Sequence, residues 1–239
     1  MKKFELIAEN KLYWLGRTLY RIKACIDFTT ASGVEVKAGE LGGYVEKEQN
    51  LSHDGKAWVY GYAKVYGNAE VYGDAEVYGN AEVWGNAEVW GNAEVYGNAE
   101  VFGYAKVCGE AKVCGEASIF STKHIFCVTP IGQYAHSLTV FRTKVRELKI
   151  FFEFKTYEVE EFRKAIHDSW DEEYVDIAEG AISLAKKHID LTPEKSFKDC
   201  PFCGGKAELD EDSEVVICTE CGSTAKEEIW NSRNDNATY

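Results

Sequence analysis

The sequence predicts a mainly β protein: a solenoid of short parallel strands, a small α+β segment after it, and a C-terminal unit folded around four cysteines. Three observations lead there. Between Gly55 and Phe120 a six-residue unit, G-x-A-x-V-(aromatic), recurs about eleven times, with Gly at 55, 61, 67 and onward to 115. Internal repeats of this kind outrank local propensity. Beyond Ser121 the period stops, and apolar residues recur first at strand spacing and then at helical spacing. Residues 200 to 222 read CPFCGGKAELDEDSEVVICTECG, two Cys-x-x-Cys pairs separated by fourteen residues.

Composition bounds the function classes. At 239 residues, 45% apolar and 28% charged, the chain has an ordinary folded composition with room for two or three compact units. A formal net charge of −13 argues against bare nucleic acid as a partner, because phosphate binding is driven by Lys and Arg releasing counterions. Basic proteins, or proteins that normally hold DNA, fit better. MKKFELIAEN carries two lysines with no apolar stretch behind them, and no window approaches eighteen apolar residues. The expectation is a cytoplasmic protein with no membrane partner. Cys25, Cys108, Cys114 and Cys127 lie among residues expected to pack, and the other four cysteines have metal-ligand spacing. That usage fits a reducing compartment without disulfides.

Residues 1–52 are expected to form an N-terminal β cap. RTLYRIKACIDF (17–28) alternates enough for a strand, and Ser32-Gly33 turns the chain into VEVKAG. Gly42-Gly43-Tyr44-Val45 and Leu51 fall six apart at the inward Ala phase, so the coil is expected to begin irregularly near residue 40. Residues 1 to 40 would shield the open hydrogen-bonding end that every solenoid has. The stretch EKEQNLSHDG reads as a surface turn rather than a carboxylate site.

Residues 53–120 form the solenoid. Each Ala lies two residues before a Val, so in an extended segment both point inward while the Glu or Lys between them points out. Gly-Asn and Gly-Asp supply the positive-φ corner. Three six-residue sides close a coil of about eighteen, giving roughly four coils rising about 4.8 Å each. Ala and Val fill the interior and leave no room for a ligand. At a period of eighteen, Tyr60, Tyr78 and Tyr96 stack in one outer column with Cys114 next; Tyr66, Trp84, Phe102 and Phe120 form a second; Tyr72 and Trp90 lead to Cys108 in a third. Two readings stay open. Ladders of like rings hold coils together. Alternatively, Tyr60, Tyr66, Tyr72, Tyr78, Trp84, Trp90, Tyr96 and Phe102 mark a homotrimer, homodimer or partner surface.

The unit resembles the hexapeptide repeats of left-handed parallel β-helices, the triangular prism of the acyltransferase superfamily, and that resemblance implies the handedness. Enzymes of that superfamily work at subunit interfaces with a catalytic His from a coil or an inserted loop. This repeat has no His, no Pro and no inserted loop; His53 precedes it, His124 follows it, and both are expected at end caps. The aromatic at the second repeat position departs from the superfamily pattern and disfavours a nucleotide-sugar or coenzyme A groove. A γ-type carbonic anhydrase would need three converging His ligands, which the repeat lacks. No catalytic residue is assigned.

Residues 121–195 read as a small α+β domain. Strands are expected within 125–155. Val159, Phe162, Ile166 and Trp170 then recur at helical spacing, as do Tyr174, Ile177, Ala181, Leu184 and His188. Asp171-Glu172-Glu173 opens the second helix and Lys186-Lys187-His188 closes it, matching the helix dipole, and Thr192-Pro193 ends it. His167 and His188 are expected at edges or in solvent.

Residues 196–239 carry the strongest chemical signal. Cys200, Cys203, Cys218 and Cys221 can place four thiolates at about 2.3 Å around Zn²⁺, a closed tetrahedron with a structural role. KAEL and EVVI would be short strands joined by DEDS. A unit this small takes its folding free energy from the metal, on the order of 10 kcal/mol. A redox dithiol is the minor alternative. Lys198, Lys206, Lys226 and Arg233 stand against ten acids, about −6 before metal, which disfavours direct nucleic-acid contact.

D-C-P-F-C-G-G-K-A-E-L, then C-T-E-C-G, then I-W-N-S-R resembles the Lar-type restriction-alleviation zinc ribbons, small phage and prophage proteins that protect incoming DNA from type I restriction. Trp230, Asn231 and Arg233 occupy that family's distinguishing C-terminal positions. R-T-L-Y-R-I, G-E-L-G-G-Y-V-E-K-E-x-N-L-S-H-D-G-x-A-W-V-Y-G and the hexapeptides look like phage and prophage accessory proteins. The resemblance implies a non-enzymatic accessory protein that binds a host protein, such as a defence enzyme, in a bacterial cytoplasm. A structural self-assembling β-helix and a small-ligand binder or acyltransferase-like enzyme are the alternatives.

Overall fold

A computed structural model describes residues 2–132, 135–192, 206–210, 215–218 and 224–226. It divides into two compact units, Met1–Leu191 and Thr192–Tyr239. The first unit is a β-solenoid of about four turns, closed at both ends, with two helices.

The chain begins with the antiparallel hairpin β1 (Phe4–Trp14) and β2 (Arg17–Ala24), then a minor hairpin β3 (Phe28–Thr29) and β4 (Glu35–Val36), then β5 (Leu41–Val45). Eleven two-residue strands, β6 to β16, follow in chain order: Trp58–Val59, Lys64–Val65, Glu70–Val71, Glu76–Val77, Glu82–Val83, Glu88–Val89, Glu94–Val95, Glu100–Val101, Lys106–Val107, Lys112–Val113 and Ser118–Ile119. Every third one pairs in parallel, building three flat faces. The first face is β5-β7-β10-β13-β16, the second β8-β11-β14 and the third β6-β9-β12-β15. Partners such as Val65 and Val83, or Val71 and Val89, are 18 positions apart. The opening turn is longer: Val45 pairs with Val65 and Leu51 with Val71, an offset of 20, so the two extra residues move both from the Ala phase that strict counting predicts into the Val phase.

The inward residues are as the period requires. Ala57, Val59, Ala63, Val65 and their equivalents through Ala117 and Ile119 lie in one continuous core, almost all fully buried. Gly42 and Gly43 have a reason beyond turn chemistry. A Cβ on Gly42 would sit 2.6 Å from the Val59 carbonyl oxygen, and one on Gly43 2.8 Å from that of Ala63, so only glycine lets β5 lie on the first coil.

The N-terminal end is sealed by β2, which pairs antiparallel with β5 and places β1 outermost on the first-face sheet. β1 is an element that sequence patterning did not identify. EKEQNLSHDG is also more than a surface turn. Glu48–Asn50 is a 3-10 turn that delivers Asn50 and Leu51 into the interior of the first coil. The Asn50 amide nitrogen donates to the carbonyls of Gly67 and Ala69, and its oxygen accepts from Lys47 N, so a buried side-chain amide stands in for backbone N–H groups that the 3-10 turn directs to Lys47 and Glu48.

The C-terminal end is sealed by an antiparallel sheet of β17 (Ile125–Ile131), β18 (His136–Arg142), β19 (Leu148–Phe152) and β20 (Lys155–Glu158), followed by α1 (Val159–Ser169) and α2 (Glu172–His188). This sheet is apolar on both faces. Ile125, Phe141 and Phe151 join the solenoid core, while Leu138, Val140, Ile150 and Phe152 join Phe162, Ile166, Ala178 and Ile182 of the helices. The α+β segment is therefore the end plug of the solenoid. Backbone bonds fasten it: Ala117 bridges Thr143, and Lys144 N donates to Glu116 O.

In the second unit, β21 (Ala207–Asp210), β22 (Val215–Cys218) and β23 (Thr224–Lys226) form one antiparallel sheet with β22 central. Two of these strands match KAEL and EVVI within one residue. The third was not anticipated.

Candidate functional site

The outward-facing residues of the solenoid carry what chemistry the described chain offers, and the structure sorts them onto three separate faces. Rings eighteen residues apart stack almost parallel: Tyr60 on Tyr78 at 5.0 Å, Tyr78 on Tyr96 at 4.8 Å, Tyr66 on Trp84 at 5.7 Å, Trp84 on Phe102 at 4.5 Å, and Tyr72 on Trp90 at 5.7 Å. The eight aromatic residues singled out from the sequence therefore form three ladders, one per face, in the columns that the eighteen-residue period predicts.

Each tyrosine that can reach a carboxylate does so. The hydroxyls of Tyr60, Tyr66, Tyr72 and Tyr78 donate to Glu76, Glu82, Glu88 and Glu94, always sixteen residues on, at 2.7 to 3.1 Å. Burial, then the adjoining carboxylate, pushes the Tyr72 hydroxyl up to about 12 and the other three further. They are neutral donors at any physiological pH. Trp occurs where the arrangement changes: the residue sixteen beyond Trp90 is Lys106, and Glu100, sixteen beyond Trp84, is held by Lys144 at 2.7 Å. Corner amides form parallel ladders, with Asn68 donating to Asn86 and Asn80 to Asn98 at 3.3 Å.

The three faces differ in what covers them. On the third face, the Ser32 amide and hydroxyl bind Glu76, leaving it 1% exposed, Phe28 packs edge-on against Trp58, and Phe151 meets Tyr96. On the first face, Trp14 lies over Lys64 and donates to Glu82, Tyr66 is 4% exposed, and Arg142 covers Phe120. The second face, with Glu70, Glu88 and Lys106 beside Tyr72, Trp90 and Cys108, receives no ring contact or side-chain hydrogen bond from either cap among the described residues.

The histidines sit in the caps, as their positions outside the repeat predict. His53 accepts from Lys3 N at 3.2 Å, lies 2.8 Å from Glu48 and stacks on Phe4 at 4.3 Å. His124 is buried, its Nδ1 accepting from Phe120 N at 3.3 Å. Burial, and secondarily the Arg142 charge, lowers its pKa to about 4. His167 lies 3.4 Å from Glu179, and His188 is 3.0 Å from the Thr122 carbonyl. One capping residue went unrecognised in the sequence: Lys3 is 2% exposed, and its ammonium donates to the carbonyls of Ala57 at 2.8 Å and Gly55 at 3.2 Å. Burial brings its pKa down to about 8. No periodic signal marks it, because its partners are backbone atoms more than fifty residues away.

The cysteine expectations need correction. Cys114 is buried and Cys127 half-buried, but Cys25 and Cys108 are exposed. Cys25 follows β2 directly, at a turn, and Cys108 ends the ladder of the uncovered face. Of the metal-ligand set, Cys218 closes β22 and is buried; Cys200, Cys203 and Cys221 lie outside the described residues, as do Trp230, Asn231 and Arg233. Among the described residues no group of three His, Cys, Asp or Glu side chains is placed to hold a metal. No described helix is long and apolar enough to cross a membrane. No family model and no curated protein matches the sequence.

Proposed function

We propose that the chain is a non-enzymatic accessory protein of a phage or prophage that binds a host protein, of the restriction-alleviation kind, in the bacterial cytoplasm. The single observation that carries this reading is the motif D-C-P-F-C-G-G-K-A-E-L with C-T-E-C-G and W-N-S-R. The net charge of −13 supports it, since an acidic surface competes for the basic groove of a protein that normally holds DNA.

Cys200, Cys203, Cys218 and Cys221 hold a structural Zn²⁺ in this reading. The three paired strands of the second unit, with a buried cysteine closing the central one, suit such a site because a ribbon needs its thiolates at strand ends. The solenoid is left-handed, as its likeness to hexapeptide repeats implies. It serves as the rigid body that carries the ribbon.

The test is a pull-down from host lysate with tagged full-length protein and with a version ending at Pro193, together with plating of unmodified phage on expressing cells. Capture of a type I restriction subunit by the full chain alone, with relieved restriction, is expected. Undiminished restriction in expressing cells and no restriction subunit recovered would defeat the proposal.

A further inference from the structure

The second solenoid face is a different matter from the ribbon, because among the described residues its charged row and ring ladder receive no ring contact or side-chain hydrogen bond from either cap. Along the solenoid axis its outer row reads Glu70, Glu88, Lys106. Glu88 is satisfied, accepting from the Tyr72 hydroxyl at 3.0 Å and lying 3.4 Å from the Lys106 ammonium. Glu70 is exposed and makes no ion pair or side-chain hydrogen bond among the described residues. Lys106, at the other end, keeps half of its side-chain surface in solvent. The row is thus negative at its N-terminal end and positive at its C-terminal end, and beside it lie the stacked, half-buried rings of Tyr72 and Trp90.

From this pattern we propose that two copies of the chain associate through their second faces in antiparallel orientation. An isologous contact places each residue of the patch against its symmetry partner. With the axes antiparallel the dyad lies at the Glu88 rung: Lys106 of each copy meets Glu70 of the other, twice, while the two Glu88 carboxylates, each already held by its own Tyr72 hydroxyl and Lys106 ammonium, face one another beside the two Trp90 rings. With the axes parallel, Glu70 would meet Glu70 and Lys106 would meet Lys106, a like-charge juxtaposition that suppresses that arrangement. The coils carry near-identical units, so the two faces are flat and match in spacing, about 4.8 Å per rung. A patch of three rungs and their corners covers on the order of 400 Å² per copy, the low end for specific association. The dimer is accordingly weak, with a dissociation constant of roughly 10 µM or above, and weakens as salt screens the pairs.

Charge reversal decides it. Sedimentation equilibrium of the full chain over a wide concentration range measures the association constant of the wild type, Glu70→Lys, Lys106→Glu and the double variant, with circular dichroism verifying the fold. Each single change is expected to weaken association at least tenfold, and the double change to restore it to within about threefold of wild type. In the double variant Glu88 keeps a cationic neighbour within its own ladder, so loss of folding does not mimic loss of association. A wild type that stays monomeric at every concentration overturns the proposal. So does a dimer indifferent to both single changes, which would use another surface, and so does a double variant as weak as the singles, which would exclude the antiparallel pairing.

Discussion

Substituting two glycines that share one backbone conformation but differ in what lies above them separates corner strain from coil packing. Gly85 and Gly109 have φ of +71° and +68°. A methyl group on Gly109 meets nothing within 4 Å, because the solenoid ends before another corner is laid over it. On Gly85 the same group would lie 2.9 Å from Gly103 N and 3.2 Å from Gly103 O, both rigid backbone atoms of the next coil. Left-handed backbone costs an L-residue about 1–2 kcal/mol at either site. Reduced freedom of the unfolded chain returns about 0.4–1 kcal/mol, again equally. Only Gly85→Ala adds the cost of forcing two coils apart, about 1–3 kcal/mol by analogy with overpacked cores. At roughly 2–4 °C per kcal/mol for a chain of this size, Gly85→Ala should melt about 2–12 °C below Gly109→Ala. Far-UV circular dichroism melts of the two variants and the wild type make the comparison. Equal melting temperatures, or a lower one for Gly109→Ala, would refute the idea that corner glycines are required by the neighbouring coil as well as by φ.

Other outcomes follow from the caps, the ladders and the cysteines. Unfolded His124 binds its proton near pH 6.5 and folded His124 only near 4, so the unfolded chain holds more protons between those values and stability falls as pH drops through that window, by roughly 3 kcal/mol at most. Chemical denaturation at stepped pH should show this slope reduced in His124→Gln; an unchanged slope assigns the acid sensitivity elsewhere. Tyr78→Phe keeps the ring stack but loses the 2.7 Å bond to Glu94, and should cost about 1–2 kcal/mol. Trp84→Phe, which breaks no such bond, should cost less, and equal losses would mean that the hydroxyl contributes little. Cys203→Ser should abolish stoichiometric zinc in elemental analysis while the solenoid's circular dichroism persists; retained zinc would remove that residue from the ligand set.

The six-residue period made the interior of the solenoid legible, because alternation and a positive-φ corner are local properties of each unit. What covers the outside was not. Ser32 on Glu76, Trp14 on Lys64 and Phe151 on Tyr96 join residues 44 to 55 positions apart, and nothing in the repeat distinguishes a covered Glu from a bare one. The period sorted the eight rings into their three columns but gave no sign of which column a cap would cover. One signal was available and passed over: within SLTVFR and LKIFF both alternating phases carry apolar residues, Phe141 and Phe151 in one and Leu138, Val140, Ile150 and Phe152 in the other, as a sheet covered on two sides requires. Two strands of the second unit, near KAEL and EVVI, were legible between the cysteine pairs and the third was not, while the ligand set itself is carried by spacing alone.

The eighteen-residue pairing offset has a consequence for how such a gene can change length. Inserting or deleting eighteen residues anywhere in the repeat adds or removes one full turn, so both plugs keep their angular relation and only their separation shifts, by about 4.8 Å. A change of six residues instead rotates one plug about a third of a turn against the other. Lys144 would then leave the Glu100 row and face the wrong side of the prism. Duplication of three units at a time is therefore a silent ruler adjustment, whereas duplication of a single unit re-indexes the whole molecule.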